Sequence, residues 1–453
     1  MLILGEFIKT TYTDEMAKRV LDGWKNNFHQ QLPLDPGSGK TYISIHACAL
    51  LNKNAHIFIF APKGKATDGS WEASIESYNK VMHTNLTYSI TTYRKVKIGH
   101  LYEELYKHEC NILLMDEIHD IKGTTNKSAT RLIDFSRNDK IYKSLGLSGT
   151  PTPNNPFDAC TYLVINGMYR NQTHFRDEHV ARLDKHFNPI YERESDLLNW
   201  DLYEKNMNQI NTYVETEHLL PDVINHYSNI KLDNHYKYIH PIFNTEKHPF
   251  EDFEKRTTKE HYNKALWYYK NNWVESRQAS LMMLIKIMAF DPSRMNVLYD
   301  LLMNKIKGET PVIIAYTYKA ELAAIEKVAK RAKYDIKYVN GSIKNVGENQ
   351  PPEHKRTVIA LQYAAGGPGV EFTYSKYMVF YAPTYSYMMF KQAKGRNVRL
   401  GMNGPIHQFY ITTRDGYDFK IWKKVHSKAA TQKDIQLISF DEELQEFLDS
   451  ERT

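Results

Sequence analysis

Residues 34–44, LDPGSGKTYIS, contain the residue types that hold phosphate groups in proteins. A glycine-rich turn is followed by Lys40 and Thr41 and then by a helical pattern. In this arrangement backbone N–H groups surround the phosphate oxygens, the lysine reaches the β- and γ-phosphates, and the threonine hydroxyl ligates Mg²⁺. Leu34 stands where the full GxxxxGK[ST] pattern has its first glycine, so the loop alone also fits a polar turn between a strand and a helix. The candidate nucleotide contacts are Pro36, Gly37, Ser38, Gly39, Lys40 and Thr41.

Two adjacent acidic residues, Asp116 and Glu117, follow the apolar run NILLM in the same part of the chain. Carboxylates at the end of a parallel strand project into the crevice at the carboxyl edge of the sheet, where ligands bind. There Asp116 would hold Mg²⁺ and Glu117 would polarise the attacking water. An isolated acidic pair is more typical of a helix cap. Because this pair shares one block with the glycine-rich turn, we interpret the two together as a nucleotide site.

Short apolar or β-branched runs alternate with helical patterns in two blocks of the chain. In the first block the runs span residues 55–62, 86–93, 111–117 and 144–150. Five similar runs follow residue 310. This alternation predicts an α/β fold with two parallel sheets, each covered by helices on both faces. The segment between the blocks is rich in Tyr, Asn, His and charged residues, which predicts a mainly helical link. The predicted domains are residues 1–155, 156–305 and 306–453, the last ending in a basic and then acidic tail.

The composition restricts the class of protein. Of 453 residues, 42% are apolar and 25% are charged, which is typical of a soluble protein with two or three domains. No run approaches the ~20 apolar residues of a membrane span, and no targeting signal is visible, so we expect a cytoplasmic protein. The three separated cysteines and the absence of paired metal spacings predict no disulfide framework and no structural metal. The net charge of +6 permits a nucleic-acid partner without requiring one.

Further strings, taken in chain order, resemble the motifs of superfamily 2 helicases and translocases. FAPKGKATDGSW at 60–71 and ITTY at 90–93 look like motifs Ia and Ib, DEIH looks like motif II, and LSGTPTPNNP at 147–156 looks like motif III. In the second block YAAGGPGVEF at 363–372 and QAKGRNVRLG at 392–401 look like motifs V and VI. With DPGSGKT as motif I, the chain resembles the Swi/Snf-like branch, which is related to DEAD and DEAH proteins. Its compactness is similar to that of bacteriophage-encoded members, which would place it in the host cytoplasm.

The resemblance implies two RecA-like lobes that close around ATP and Mg²⁺. It assigns Gly369, Glu371 and Gln392 to the nucleotide, although Glu371 stands where the branch usually has Asn. It assigns Arg396 and Arg399 to the γ-phosphate, where their guanidinium groups would stabilise charge during transfer. The two arginines share one helix face if FKQAKGRNVRL is helical. A solvated basic helix face is the alternative for this pair.

For nucleic acid, the resemblance points to four residues that follow predicted strand ends, Lys63, Lys65, Thr91 and Thr92. Contacts with the phosphate backbone suit a motor that ignores sequence, because phosphates repeat whatever the bases are. For each of the four, an ordinary solvated surface position is the alternative.

Two features of the first block have more than one interpretation. Trp71 either stacks on a base or fills the core, and the core is favoured. Ser148, Thr150 and Thr152 surround a turn that, by resemblance, couples the ATP site to the nucleic acid. The same turn also fits a capping turn after a strand, and both roles are compatible.

The sequence thus predicts an ATP-dependent DNA helicase or translocase that acts in replication, recombination or repair. ATP and Mg²⁺ are the expected cofactors. Duplex, forked or branched DNA is the expected partner, together with a replication or nuclease protein and without a membrane. The alternatives are an RNA-directed helicase and an ATP-switched DNA clamp or loader that does not translocate.

Overall fold

The structure of the chain is a computed structural model. It describes residues 11–34, 37–95, 99–121, 126–149, 151–152, 155–186, 188–191, 193–212, 220–232, 285, 287–341, 343, 350–364, 371–399, 402, 404–413, 418, 421–422 and 425. Three residues named above, Pro36, Thr150 and Gly369, lie outside this set, as does the tail from residue 426 onward.

Five parallel strands form the first sheet, in the order β1-β5-β4-β2-β3. The strands are β1 His29–Leu32, β2 His56–Ala61, β3 Thr87–Thr92, β4 Asn111–Asp116 and β5 Ile141–Leu147. Strands β2 and β4 are buried along nearly their whole length, as expected for central strands of a parallel sheet with both faces covered. The carboxyl ends of these strands meet at one edge of the sheet.

Helices cover both faces of the first sheet. They are α1 Thr11–Asn26, α2 Lys40–Leu51, α3 Ser70–Met82, α4 Gly99–Leu105, α5 Lys127–Ser136, α6 Cys160–Ile165, α7 Gln172–His179 and α8 Trp200–Ile210. Helices α1 to α3 contribute Trp24, Ile43 and Trp71 to the core on one face. On the other face α4 to α8 contribute residues such as Phe135 and Tyr203. We call this sheet with its helices the first lobe.

Six parallel strands form the second sheet, in the order β6-β11-β10-β7-β9-β8. They are β6 Val223–Ile230, β7 Val312–Tyr316, β8 Asp335–Val339, β9 Thr357–Gln362, β10 Tyr377–Phe380 and β11 Ile406–Thr413. Its helical segments are α9 Pro292–Asp300, a π-helical turn Leu301–Ile306, α10 Lys319–Arg331 and α11 Tyr387–Lys394. Buried residues of α9 and α10 pack on one face, and α11 and Trp422 pack on the other. We call this unit the second lobe.

The α/β fold predicted from the alternating pattern is confirmed, because both sheets are parallel and both are covered by helices on two faces. The chain therefore contains two RecA-like lobes. The nine strand positions predicted from apolar runs match β2 to β5 and β7 to β11 within four residues at each end.

The predicted link needs correction where the structure describes it. Helices α6 to α8 lie in the core of the first lobe, so the boundary drawn at residue 155 cuts through that core. Strand β6 belongs to the second sheet, where Val223 pairs with Ile406 and Ile230 pairs with Thr413. The apolar pattern does not predict this strand. It is an edge strand of mixed polar composition, VINHYSNI, and Ile230 is its one buried residue. The described parts of 156–305 thus belong to the two lobes rather than to a separate helical unit.

Among the described residues, no helix combines the length and the apolar character needed to cross a membrane. The three cysteines are free thiols; Cys48 and Cys160 are buried, and Cys110 is partly buried.

Candidate nucleotide site

The glycine-rich turn joins β1 to the start of α2. Gly37 has φ 87° and Gly39 has φ 81°, a left-handed backbone that residues with side chains rarely adopt. Gly39 is the N-cap of α2 and has no side chain that could bond to the first helical turn. The N–H groups at the start of α2, with the positive end of its dipole, are thus oriented to accept an anion.

Lys40 spans this turn. Its Nζ donates a hydrogen bond to the carbonyl oxygen of Leu34, at 2.8 Å. The Leu34 side chain is buried in the core of the first lobe, so a leucine at this position leaves the turn itself intact. The charge of Lys40 acts to lower the pKa of both Asp116 and Glu117, so the lysine lies near the acidic pair.

Asp116 ends strand β4 and is held by two aromatic residues. The indole N–H of Trp71 donates to Oδ2 of Asp116 at 3.2 Å. The hydroxyl of Tyr93 donates to the backbone oxygen of Asp116 at 2.7 Å. Burial and, after it, the neighbouring Glu117 carboxylate raise the pKa of Asp116 to about 6. An uncompensated negative charge is therefore unfavourable here, as expected for a site that takes up a cation.

Glu117 adopts a left-handed backbone, φ 48°, which is uncommon for a residue with a side chain and typical of functional sites. Burial raises its pKa, and the positive charges of Lys40 and Arg396 lower it. Its Oε2 lies 3.2 Å from Nδ1 of His119, and that nitrogen lies 2.7 Å from the hydroxyl of Ser148. His119 thereby joins the acidic pair to the turn that follows β5.

The two arginines of the second lobe do not lie on a helix, so the condition for a shared helix face is not met. Helix α11 ends at Lys394, and Gly395 is its C-cap. Arg396 and Arg399 therefore lie in the turn and the extended segment after the helix. Glycine is a common helix terminator, so the string KGRN favoured an end of the helix at this point.

Arg396 and Arg399 have different surroundings. Arg396 is buried, and its charge lowers the pKa of Glu117 across the lobes. Arg399 Nε lies 3.0 Å from Oε1 of Glu371 in an ion pair, and its Nη1 donates to the carbonyl oxygen of Val398 at 3.1 Å. A Cβ atom added to Gly37 would lie 2.5 Å from Nη1 of Arg399, so the guanidinium group rests against the glycine-rich turn.

A further contact between the lobes comes from Lys391, on α11. Its Nζ donates to the carbonyl oxygen of Gly149 at 2.9 Å, in the turn after β5. Sequence reasoning missed Lys391, although it directly precedes Gln392 in the predicted motif VI. Gln392 is partly buried on the same helix.

The four residues predicted to contact nucleic acid lie near one another, at the carboxyl ends of β2 and β3. Thr91 pairs with Phe60, and Thr92 pairs with Ala61, directly before the turn that carries the two lysines. Lys63 is exposed on that turn. Lys65 is different, because its Nζ lies 3.6 Å from Asp68 and donates to Ser70 Oγ at 3.2 Å. The charge of Lys65 also lowers the pKa of both members of the acidic pair.

Trp71 fills the core of the first lobe and is 1% exposed, which rules out stacking on a base in this conformation. The core interpretation of this residue is thus confirmed. Its hydrogen bond to Asp116 was not foreseen, because no spacing in the sequence relates a helix start to a strand end forty-five positions away.

A second polar cluster lies at the opposite edge of the first sheet. His56, Glu104 and His108 have ligand atoms within 4.8 Å of one another. The two imidazole rings are stacked, with centroids 3.8 Å apart and planes 8° from parallel. Ring nitrogens bind metals in the plane of the ring, so rings stacked in this way do not direct their lone pairs at one ion. His56 instead has its nitrogens 2.8 and 3.0 Å from the hydroxyls of Thr87 and Ser89.

Comparison with protein families gives a match for the first lobe. Residues 7–153 match the family model described as "Type III restriction enzyme, res subunit", which is a superfamily 2 helicase-family domain. Members of that family are ATP-hydrolysing enzymes of the helicase type. No curated protein matches the chain. The matched range includes the glycine-rich turn, Lys40, Asp116 and Glu117, and it therefore supports a superfamily 2 helicase-like ATPase in this part of the chain.

Proposed function

We propose that the protein is an ATP-dependent DNA translocase or helicase of the Swi/Snf-like branch, which couples ATP hydrolysis to movement on DNA in replication, recombination or repair. One observation carries the proposal. Arg399 of the second lobe lies against the glycine-rich turn of the first lobe, and the charge of Arg396 acts on Glu117. Such a site, divided between two lobes, can convert the binding and loss of a phosphate into movement of one lobe against the other.

In this function the first lobe binds the nucleotide. The N–H groups from Gly37 to Lys40 hold phosphate oxygens, and the Lys40 ammonium neutralises the β- and γ-phosphates. The Thr41 hydroxyl and the Asp116 carboxylate are hard oxygen ligands of the kind that Mg²⁺ prefers, and the charge balance around Asp116 favours a cation. Bound Mg²⁺ would neutralise charge on the transferred phosphoryl group.

The other residues act on the attacking water and on the developing charge. Glu117 orients and polarises the water, and His119 and Ser148 hold the Glu117 side chain at its position. Arg396 and Arg399 donate to the γ-phosphate oxygens as charge develops during transfer. Glu371 and Gln392 lie on the second-lobe side of the nucleotide, with Glu371 paired to Arg399 before the nucleotide binds.

DNA would follow the carboxyl ends of β2 and β3, where Lys63, Thr91 and Thr92 offer contacts to phosphate. Lys65 serves this surface less directly, because it is paired with Asp68 and faces the acidic pair. The description of the matched family as a restriction-enzyme subunit favours DNA over RNA. Duplex, forked or branched DNA is the proposed partner, with a replication or nuclease protein as a further one.

ATP hydrolysis titrated with duplex, single-stranded and forked DNA and with RNA tests this function. We expect DNA to stimulate hydrolysis more than RNA does, and Lys40→Ala to abolish the rate with every nucleic acid. Stronger stimulation by RNA would indicate an RNA-directed motor. Displacement of a third strand from a DNA triplex adds a readout of movement. Hydrolysis without displacement or strand separation would indicate a clamp or loader and would contradict translocation.

A further inference from the structure

The candidate metal ligand Asp116 is held from both faces of the first sheet. Trp71 lies in the core formed with α1 to α3, and its indole N–H donates to Oδ2 of Asp116. Tyr93 lies in the core on the opposite face, and its hydroxyl donates to the backbone oxygen of Asp116. Both aromatic side chains are almost completely buried. Packing therefore fixes the two donors before any ligand arrives.

The indole bond selects one orientation of the carboxylate. Oδ2 is the oxygen that contacts Trp71, at 3.2 Å, which leaves Oδ1 as the oxygen turned away from the indole. A carboxylate with one oxygen held by a rigid donor loses less rotational freedom when the other oxygen binds a cation or a cation-bound water. Donors of this kind behind a metal ligand typically contribute 10–100-fold to metal affinity.

Trp71 also lies in the first turn of α3, the helix that follows the turn with Lys63 and Lys65. It is the second residue of α3, and the preceding Ser70 accepts the hydrogen bond of Lys65. A displacement of this turn would thus move the first turn of α3 and, with it, the indole that holds Asp116.

We propose that Trp71 is a positioning residue that orients Asp116 for Mg²⁺ binding. This inference rests on the proposed function, since it takes Asp116 as a metal ligand. The indole N–H fixes the carboxylate, and the turn before α3 sets the place of the indole. Trp71 itself touches neither nucleotide nor metal.

The test compares Trp71→Phe with Trp24→Phe. Trp24 is buried in the same core, and its indole N–H donates at 2.8 Å to the backbone oxygen of Ser144, a residue inside strand β5. Both substitutions remove one indole N–H and similar volume from one core, so Trp24→Phe controls for loss of packing. Thermal melting of the two variants measures that loss.

The first readout is binding of Mn²⁺ with ATP, followed by electron paramagnetic resonance and without turnover. We expect Trp71→Phe to weaken Mn²⁺ binding about 10–100-fold, and Trp24→Phe to leave it unchanged. Equal losses in both variants, or an unchanged affinity in Trp71→Phe, would overturn the proposal.

The second readout is the Mg²⁺ dependence of ATP hydrolysis. Trp71→Phe should shift the half-maximal Mg²⁺ concentration upward by a similar factor while kcat at saturating Mg²⁺ stays within a few-fold of wild type. A fall in kcat without this shift would overturn the positioning role. Wild-type protein without any ATP hydrolysis would instead contradict the proposed function, so the two failures are distinguishable.

Discussion

The two lobes supply the candidate site in different ways. The first lobe places Asp116 at the end of a buried strand, fixed by hydrogen bonds from residues in two cores. The second lobe places Arg396 and Arg399 after the end of α11, in a segment without regular secondary structure. The acidic half of the site is thus determined by one folded sheet. The basic half depends on contacts that cross between the lobes.

Contacts of this kind come from α11 and from the segment that follows it. Lys391 bonds to the turn after β5, Arg399 rests on Gly37, and Arg396 acts electrostatically on Glu117. Arg399 also keeps a partner within its own lobe, Glu371. We therefore expect Arg396 to act on the acidic pair, and Arg399 to exchange Glu371 for phosphate if a nucleotide binds.

The largest expected effect tests the basic half. Arg399→Ala should lower the ATP hydrolysis rate by roughly 10³-fold or more, because an arginine finger acts mainly in the transition state. The Kd for ATP should change only a few-fold. Arg396→Ala is the matched comparison, and single-turnover kinetics with a binding titration measure both variants. If rate and affinity fall together in Arg399→Ala, Arg399 acts in ground-state binding and Arg396 becomes the better finger.

The acidic half is tested by Glu117→Gln. Loss of a general base typically costs 10²–10⁴-fold in rate, so hydrolysis should drop by about this factor. ATP and DNA binding should stay close to normal, since the amide keeps the shape of the side chain, although it removes the negative charge together with the ability to accept a proton. Rapid-quench measurement of product formation checks the rate. Near-full turnover in this variant would remove Glu117 from the role of base.

Much of the first lobe can be predicted from the sequence, since an apolar run that ends in two acids indicates a buried strand with carboxylates at its end. The basic half is harder to predict. The spacing of Arg396 and Arg399 fits one face of a helix as well as it fits an irregular segment. Gly395 is the residue that indicates the end of α11 before them. Contacts such as Trp71 with Asp116 depend on how a helix start packs against a strand end, which no local pattern encodes. Strand β6 was missed because pairing at a sheet edge requires no apolar run.

A pH prediction concerns stability of the first lobe. His29 in β1 is fully buried, and its ring nitrogens lie 2.8 Å from Ser144 Oγ and 2.9 Å from Gln31 Nε2. Burial lowers the pKa of His29 from 6.5 to about 3. Between these pH values the unfolded chain binds a proton that the folded chain does not, so stability is lost as the pH falls below 6.5.

The contribution of His29 should reach about 1.4 kcal/mol per pH unit in that range. Urea unfolding at pH 7, 6 and 5 measures it, followed by tryptophan fluorescence, to which Trp24 and Trp71 in the first-lobe core contribute. His29→Gln should be less stable at pH 7 and should show a flatter dependence on pH. Equal slopes for the variant and wild type would show that His29 is not the group that titrates.

The proposed DNA surface is tested by comparing two lysines of one turn. Lys63→Glu should reduce the slope of log affinity against log salt by about 0.7–0.9, the amount for one lost phosphate contact, and should leave the basal hydrolysis rate intact. Lys65→Glu should lower the basal rate as well, because its positive charge acts on the acidic pair. Fluorescence anisotropy of labelled DNA at several salt concentrations measures binding. Identical effects of the two substitutions would contradict the distinction drawn from the ion pair of Lys65 with Asp68.

The smallest expected effect concerns the anion that Arg399 holds before nucleotide binds. Glu371 is about one-third exposed, with 38% of its side chain accessible, so its pair with Arg399 is worth about 0.2–1 kcal/mol at most. Glu371→Gln keeps the size of the side chain and removes the negative charge beside the triphosphate. The Kd for ATP should therefore fall by up to about fivefold, with kcat nearly unchanged.

Glu371→Asp keeps the charge on a shorter side chain and should not tighten ATP binding. Isothermal titration with a non-hydrolysable ATP analogue and steady-state kinetics measure both variants. A large loss of kcat in Glu371→Gln, restored in Glu371→Asp, would show that the carboxylate orients Arg399 for catalysis rather than competing with phosphate for it.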